Sequence, residues 1–289
     1  MRLLRRCLIA LLLLSIPALT LAHPVLWVAK NGQATVYLFG TVHLLPQDAN
    51  WSTPQIDTAL QQSSRLSIEL VDDDEATMQA LVLKYGIDLN HPLSSLLDTS
   101  DQAKLQKAAE AAKLPGGAAM LQPMRPWLAG LTLTVAPLMQ AGLDPKLGVD
   151  KILKTRMLAA GKPVDGLETS EQQIRMLADM PAAMQLDFLR QALTDVASGP
   201  AKIRQLIDAW KAGDVSTIAS IENTDLRQQS PALYQQLIVQ RNQAWAKTIA
   251  ARMQQPGVSF VAVGAGHLAG PDSLQKQLEM QGISVEQVR

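Results

Sequence analysis

The chain has 289 residues, 47% of them hydrophobic, with 26 basic side chains, 26 acidic ones and a single cysteine. That length suits one large domain or two small ones, and the balanced charge leaves no electrostatic footprint for nucleic acid or anionic lipid. Few aromatics and many Ala, Leu, Gln and Met favour a helix-rich body.

Residues 1–22 read as a cleavable secretory signal. Arg2, Arg5 and Arg6 make a basic start, Leu8 to Leu14 is an unbroken apolar run, and Thr20-Leu21-Ala22 is a small-x-small ending, with cleavage expected after Ala22. Cys7 lies inside that segment and away from its end, so it is not the acylated first residue of a lipoprotein. The mature chain of 267 residues then has no thiol for a disulfide, for catalysis or for metal. It loses three arginines and no acids, which leaves a net charge of −3. No later apolar run is long enough to span a bilayer; the nearest, Leu128 to Met139, is short and contains Pro137. The expectation is a soluble periplasmic or secreted protein with no stable membrane anchor and no nucleic-acid partner.

Along the mature chain, Val25 to Ala29, Asn31-Gly32 and Ala34 to Phe39 predict a β-hairpin, because Asn-Gly tolerates the positive φ of a tight turn. Arg65 to Val71 is a third strand, and Asp72 to Tyr85 turns helical. Asp101 to Lys113 is a helix closed by Pro115-Gly116-Gly117, and Trp127 to Ala141 is an apolar helix interrupted near Pro137. Lys151 to Ala160 is helical, and Lys162 to Leu167 is a fourth strand. Thr169 or Ser170 caps the next helix. Pro181 to Met253 is helical almost throughout, Val258 to Val263 is a strand apolar enough for burial on both faces, and a helix and a short strand close the chain. The sum is an α/β fold: one domain over 23–289, a small sheet drawn from both ends of the chain, and a helical middle over about 72–255.

Two stretches repeat one construction. Tyr37 to Leu44 reads YLFGTVHL and Val261 to Leu268 reads VAVGAGHL, so each apolar strand runs into a glycine, Gly40 or Gly264, followed three residues later by His43 or His267. Glycine there permits a sharp exit from the sheet or a close approach to something bound, and the carboxyl ends of strands are where open α/β sheets bind ligands. If the two strands are parallel neighbours, the imidazoles converge. Glu69 closes the third strand out of phase with Ile68, and Glu168, with Asp165 before it, closes the fourth. Two histidines with one or two carboxylates make a site for Zn, Mn, Co or Fe. The plainer readings are a hydrogen-bonded structural histidine at each strand end, and helix capping for Glu69 and Glu168. The run Asp72-Asp73-Asp74-Glu75 lacks calcium-loop spacing and suits a first helical turn. His91 reads as a surface loop residue, and His23 as the mature N-terminus, where an imidazole and an α-amine could chelate copper. Arg241 and Asn242 lie close to the stripe of a helix formed by Leu237, Ile238, Ala244, Trp245 and Ile249, so either could reach the sheet edge, where an arginine suits a carboxylate or a developing oxyanion; on spacing alone, a solvated Arg241 on the helix flank is the plainer reading. No phosphate loop, G-x-S-x-G elbow or H-E-x-x-H helix is present.

FGTVH, the strand ending in IEL, LGVD (Leu147 to Asp150), GLETSEQ (Gly166 to Gln172), RNQAW (Arg241 to Trp245) and VAVGAGHLAG (Val261 to Gly270) together resemble the TraB/GumN family, which includes the TIKI ectodomain proteases. The resemblance implies a sheet-based fold related to the erythromycin-esterase and ChaN-like group, and a divalent-metal-dependent hydrolase, with peptide-bond cleavage attributed to the TIKI branch. Carried over by position, it makes His43 and His267 the motif histidines, Glu69 the strand-end acid, and Arg241 with Asn242 the helix pair. The expectation is an exported metal-dependent peptidase. His43, His267 and Glu69 would hold a divalent ion (Mn, Co or Zn) beside Gly40 and Gly264, Glu69 or Glu168 would serve as general base, and Arg241 would stabilise an oxyanion. A haem- or metal-binding protein without activity, or a polysaccharide-export accessory protein, stands as the alternative.

Overall fold

The computed structural model describes residues 23–288; the expected signal segment lies outside them. Six strands form one mixed sheet: β1 (Leu26–Asn31), β2 (Ala34–Thr41), β3 (Leu66–Ile68), β4 (Val164–Gly166), β5 (Gly257–Gly264) and β6 (Ser284–Gln287), in the spatial order β4-β3-β5-β2-β1-β6. The hairpin β1–β2 is antiparallel, with Asn31 opposite Ala34. The tight turn is therefore Gly32-Gln33, one residue later than Asn-Gly predicts, with Gly32 carrying the positive φ of 56°. β2, β5, β3 and β4 all run parallel, while β6 joins β1 antiparallel.

Thirteen α-helices follow the chain among the described residues. The first seven are α1 (Pro54–Gln62), α2 (Glu75–Gly86), α3 (Thr99–Ala111), α4 (Pro126–Gln140), α5 (Val149–Ala159), α6 (Ser170–Ala178) and α7 (Ala182–Asp195). The rest are α8 (Gly199–Lys211), α9 (Val215–Ala219), α10 (Asp225–Gln229), α11 (Pro231–Tyr234), α12 (Gln240–Arg252) and α13 (Leu274–Glu279). None among the described residues is long and apolar enough to cross a membrane. The helix over α2 starts later than expected because Asp74 is its cap, accepting from the Thr77 N–H at 3.0 Å. The other acids of that run go elsewhere: Asp72 accepts from Ser170, and Asp73 pairs with Lys151 and Lys154. Pro137 does not interrupt α4, which runs through it; the proline sits near the helix end, buried, and costs one backbone hydrogen bond.

The strand alternation builds a core on each face of the sheet. Phe39, Leu66, Ile68, Phe260 and Ala262 pack against α1, α5 and α8, where Trp51 and Trp210 close over Phe39. Ala34, Val36, Leu38, Val261 and Val263 pack against Trp245, Ala246 and Ile249 of α12 and Leu274 and Leu278 of α13. Helices α3, α4 and α7 bury a further core away from the sheet, beside the one that α4 and α6 form with α2 packed on it. Two departures from α geometry were invisible in the periodicity: Ser220–Thr224 and Gln235–Val239 are π-helical. Each inserts a residue into its helix and rotates the residues beyond it, and such turns are found disproportionately at functional sites.

Candidate active site

Four adjacent parallel strands lead to the same edge. Read across the sheet, β4 leads to Glu168, β3 to Glu69, β5 to Gly264 and His267, and β2 to His43. The register that sets Gly40 opposite Val263 and Thr41 opposite Gly264 makes the repeated construction converge, as a parallel pairing requires. The two glycines differ in use. A Cβ on Gly264 would lie 3.2 Å from Glu69 Oε1, 3.5 Å from His43 Nε2 and 3.6 Å from His267 Cδ2, so this position is the floor of the site. A Cβ on Gly40 would meet the Ala265 Cα at 3.1 Å, so Gly40 serves packing behind the site and does not line it.

Arg241 is the hub. Its side chain is only 11% exposed, which overturns the reading of a solvated helix flank. Nη2 donates to Glu69 Oε2 at 2.5 Å, Nε donates to Glu168 Oε1 at 2.9 Å, and Nη1 donates to the Leu237 carbonyl at 3.2 Å and to His267 Nε2 at 3.0 Å. The guanidinium carbon also stands 4.6 Å from the centre of the Trp245 ring, a cation–π contact. The π-turn just before α12 rotates Arg241 inward and brings the Leu237 carbonyl beneath it. With Nε, Nη1 and one Nη2 proton engaged, Arg241 is a buried counter-ion and not a free oxyanion donor.

Asn242 fixes His267. The amide nitrogen donates to the carbonyls of His267 and Asp272 at 3.2 and 2.9 Å, so Oδ1 must face the ring and accept from His267 Nδ1 at 2.8 Å. That leaves Nε2 as the lone-pair nitrogen facing Arg241. Asn242 is fully buried behind the histidine and does not touch the cleft. Burial first, then the Arg241 and His43 cations, outweigh the pull of Glu69 and lower the His267 pKa to about 3, so it is a neutral imidazole.

Glu69 is 8% exposed and caps no helix. Oε1 accepts from the Gly264 N–H at 2.7 Å; Oε2 accepts from Arg241 and from Gln173 Nε2 at 3.2 Å. Burial would raise its pKa, but Arg241, the two histidines and the Gly264 N–H hold it below the usual carboxylate range. Glu168 is likewise no cap, since Thr169 caps α6 in a capping box with Gln172. Burial and the neighbouring Glu69 raise the Glu168 pKa against the opposing pull of Arg241. Asp165 does not reach the site; it bonds Arg252 at 2.8 Å and Ser67 at 3.1 Å, clamping the far end of α12 to the sheet.

His43 is the open member, its side chain 51% exposed. Nδ1 bonds Asp150 Oδ1 at 3.1 Å, and Nε2 faces Glu69 Oε1 across 3.9 Å. The site walls alone would lower its pKa, but the Asp150 hydrogen bond and the charges of Glu69, Asp150 and Glu222 raise it to about 9. Sequence reasoning missed Asp150, although LGVD carries the signal. A Cβ on Gly148 would lie 2.6 Å from the His43 carbonyl, and Val149 N–H donates to the Val42 carbonyl at 3.0 Å. The motif is thus a strap laid over the histidine loop that places Asp150 behind the ring. Gln173 was missed too, as was Glu222, which nothing in the sequence flags. His91 is an exposed loop residue paired with Asp88, and His23 is exposed at the start of the described residues.

A divalent ion held by His43, His267 and Glu69 needs a free lone pair on each. His267 Nε2 and Glu69 Oε2 are taken by the guanidinium, which leaves His43 Nε2 and the outer lone pair of Glu69 Oε1. Two donors fall short of the three protein ligands of a catalytic zinc-type site. Among the described residues, no group of three or more His, Cys, Asp or Glu side chains is arranged to hold a metal ion. The arrangement does not fit the expected ion, because the Arg241 guanidinium already engages the donors it would need.

The protonation states set a stability profile. The His267 pKa is depressed, so the unfolded chain binds a proton there more readily. That contribution is complete above about pH 6.5 and is lost as pH falls towards 3. Glu69, also depressed, adds to the acid loss below its ordinary value of 4.5. His43 has the opposite sign: its contribution is complete below 6.5 and lost as pH rises through about 9. The melting temperature is therefore expected to peak near pH 6.5 and fall on both sides, and His267→Gln is expected to flatten the acid limb in a pH series of thermal melts. An unchanged acid limb in that variant counts against the neutral buried imidazole.

The TraB/PrgY/gumN family model matches residues 25–287. An uncharacterised protein of Escherichia coli K12, YbaP, is 25% identical over 256 residues, covering 88% of this chain and 92% of that one. An uncharacterised protein of Treponema pallidum is 22% identical over 264 residues, covering 86% and 78%. No solved structure matches. The match spans every strand and every site residue named in the cluster, and the chain belongs to the TraB/PrgY/gumN family.

Proposed function

We propose that this protein is a hydrolase of acyl bonds in which protonated His43 polarises the substrate carbonyl and protonates the leaving group. The observation that carries this reading is the gap of 3.9 Å between His43 Nε2 and Glu69 Oε1 over the side-chain-free Gly264, at the one open corner of a buried charge network. Asp150 keeps the imidazolium oriented and charged, as a carboxylate behind a catalytic histidine does. Glu69 is too well satisfied by Gly264, Arg241 and Gln173 to act as a strong base. Its free lone pair suits orienting a water beside the gap, within hydrogen-bond reach of both atoms. Arg241 and Asn242 hold the floor rigid, so that the geometry is set before substrate arrives. A peptide as substrate rests on the family resemblance, and export rests on the basic, apolar and small-residue layout of residues 1–22.

The test uses protein stripped with EDTA, offered a peptide library and a panel of simple amides and esters. Hydrolysis is expected to persist without added metal. Activity that appears only when Mn, Co or Zn is returned would restore a metal-activated water at this site. No cleavage under either condition would remove the hydrolase reading.

A further inference from the structure

Glu222 is a titratable side chain of the site to which the proposed roles of His43, Asp150 and Glu69 give no part. It lies in the π-turn Ser220–Thr224, and that turn rolls it onto the loop that carries the second histidine. A Cβ on Gly266 would lie 3.2 Å from Glu222 Cβ and 3.3 Å from Glu222 Oε2, so the glycine before His267 is the space the glutamate occupies. The neighbouring Asn223 pins the same loop, its amide nitrogen donating to the carbonyls of Gly266 and Ala269 at 2.8 and 2.9 Å. Every other carboxylate of the site has a donor: Glu69 has Gly264, Arg241 and Gln173, Glu168 has Arg241, and Asp150 has His43. Glu222 has no hydrogen-bond or ion-pair partner among the described residues, and the charge it feels is that of His43.

We propose that Glu222 is the general base of the reaction, taking a proton from the water that attacks the carbonyl polarised by His43. The assignment rests on the hydrolytic reading of the site. A base needs an unengaged oxygen beside the nucleophile, and Glu222 is the carboxylate here whose oxygens no protein donor holds. The step balances without a cofactor. The water oxygen bonds to the acyl carbon while its proton passes to Glu222. The bond from carbon to the leaving nitrogen or oxygen breaks with the electron pair going to that atom, which takes the Nε2 proton of His43. Solvent returns the proton from Glu222 to His43.

The experiment compares wild type, Glu222→Gln, Glu222→Ala and His43→Ala on the best substrate of the panel, with thermal melts to confirm folding. Both Glu222 variants are expected to lose about 100-fold or more in kcat, the scale of a general base. Added formate, a small carboxylate that fits the space left by Glu222→Ala, is expected to restore part of that loss in a saturable way and to leave His43→Ala unchanged. Glu222 variants within about threefold of wild type, or a loss that formate never relieves in a folded Glu222→Ala protein, would overturn the base assignment while leaving the hydrolase reading in place. A wild type as inactive as His43→Ala on every substrate would overturn both.

Discussion

Arg241→Leu is expected to lower the melting temperature by about 10 °C, the largest effect of any single change considered. The substitution removes the one cation between Glu69 and Glu168, whose side chains are 9% and 12% exposed. Two carboxylates would then face each other in a dry site beside a neutral imidazole. Breaking a buried pair by deleting one partner costs about 3–5 kcal/mol, because the remaining charge stays buried and unpaired. At about 2–4 °C per kcal/mol for a domain of this size, that gives the stated shift. The logic makes a sharper demand on a combined variant. Neutralising both acids, with Glu69→Gln and Glu168→Gln added to Arg241→Leu, is expected to recover about half of the lost stability, since no uncompensated charge is left. Thermal melts of the single and triple variants at pH 7 check this. A single variant that melts with the wild type would mean that water reaches the cluster and screens it.

His43→Ala is expected to behave in the opposite way: little change in melting temperature and a loss of about 10²–10⁴-fold in kcat/KM, the scale of a positioned acid–base group. The ring is half exposed and anchored through Asp150 alone, so its removal uncovers little apolar surface. Asp150→Asn is expected to give a smaller loss and to move the alkaline limb of the pH–rate profile below about 9, because it removes a charge, and weakens a hydrogen bond, that keep the imidazole protonated. An alkaline limb that stays in place in Asp150→Asn would assign that limb to another group.

The strand ends were the legible part of this site. The two Gly-x-x-His stretches marked His43 and His267, and an isolated carboxylate after an apolar run marked Glu69, because strand alternation makes an out-of-phase charge conspicuous. The small mixed sheet with strands from both chain ends followed from the same alternation. The helical residues were harder for a definite reason. A stripe drawn through Leu237, Ile238, Ala244, Trp245 and Ile249 assumes constant α geometry, and the π-turn over Gln235–Val239 breaks that assumption just before Arg241. The second π-turn hides Glu222 in the same way. Asp150 was hidden by distance, since it approaches His43 from 107 positions away through a loop contact that no local pattern encodes. The metal expectation came from residue types alone; what decides against its fit is the guanidinium placed among the donors, a matter of tertiary arrangement.

The place of β5 in the sheet has a temporal consequence. It lies between β2 and β3, yet 188 residues separate the end of β3 from its start, and only 25 residues come after it. A chain emerging from its amino end holds the hairpin and the β3 segment long before the strand that joins them, and it holds His43 and Glu69 without Gly264 or His267. The site therefore closes last, when the final tenth of the sequence threads into the middle of the sheet. Until then the growing polypeptide has the open histidine and the strand-end carboxylate but neither the floor of the cluster nor its buried imidazole.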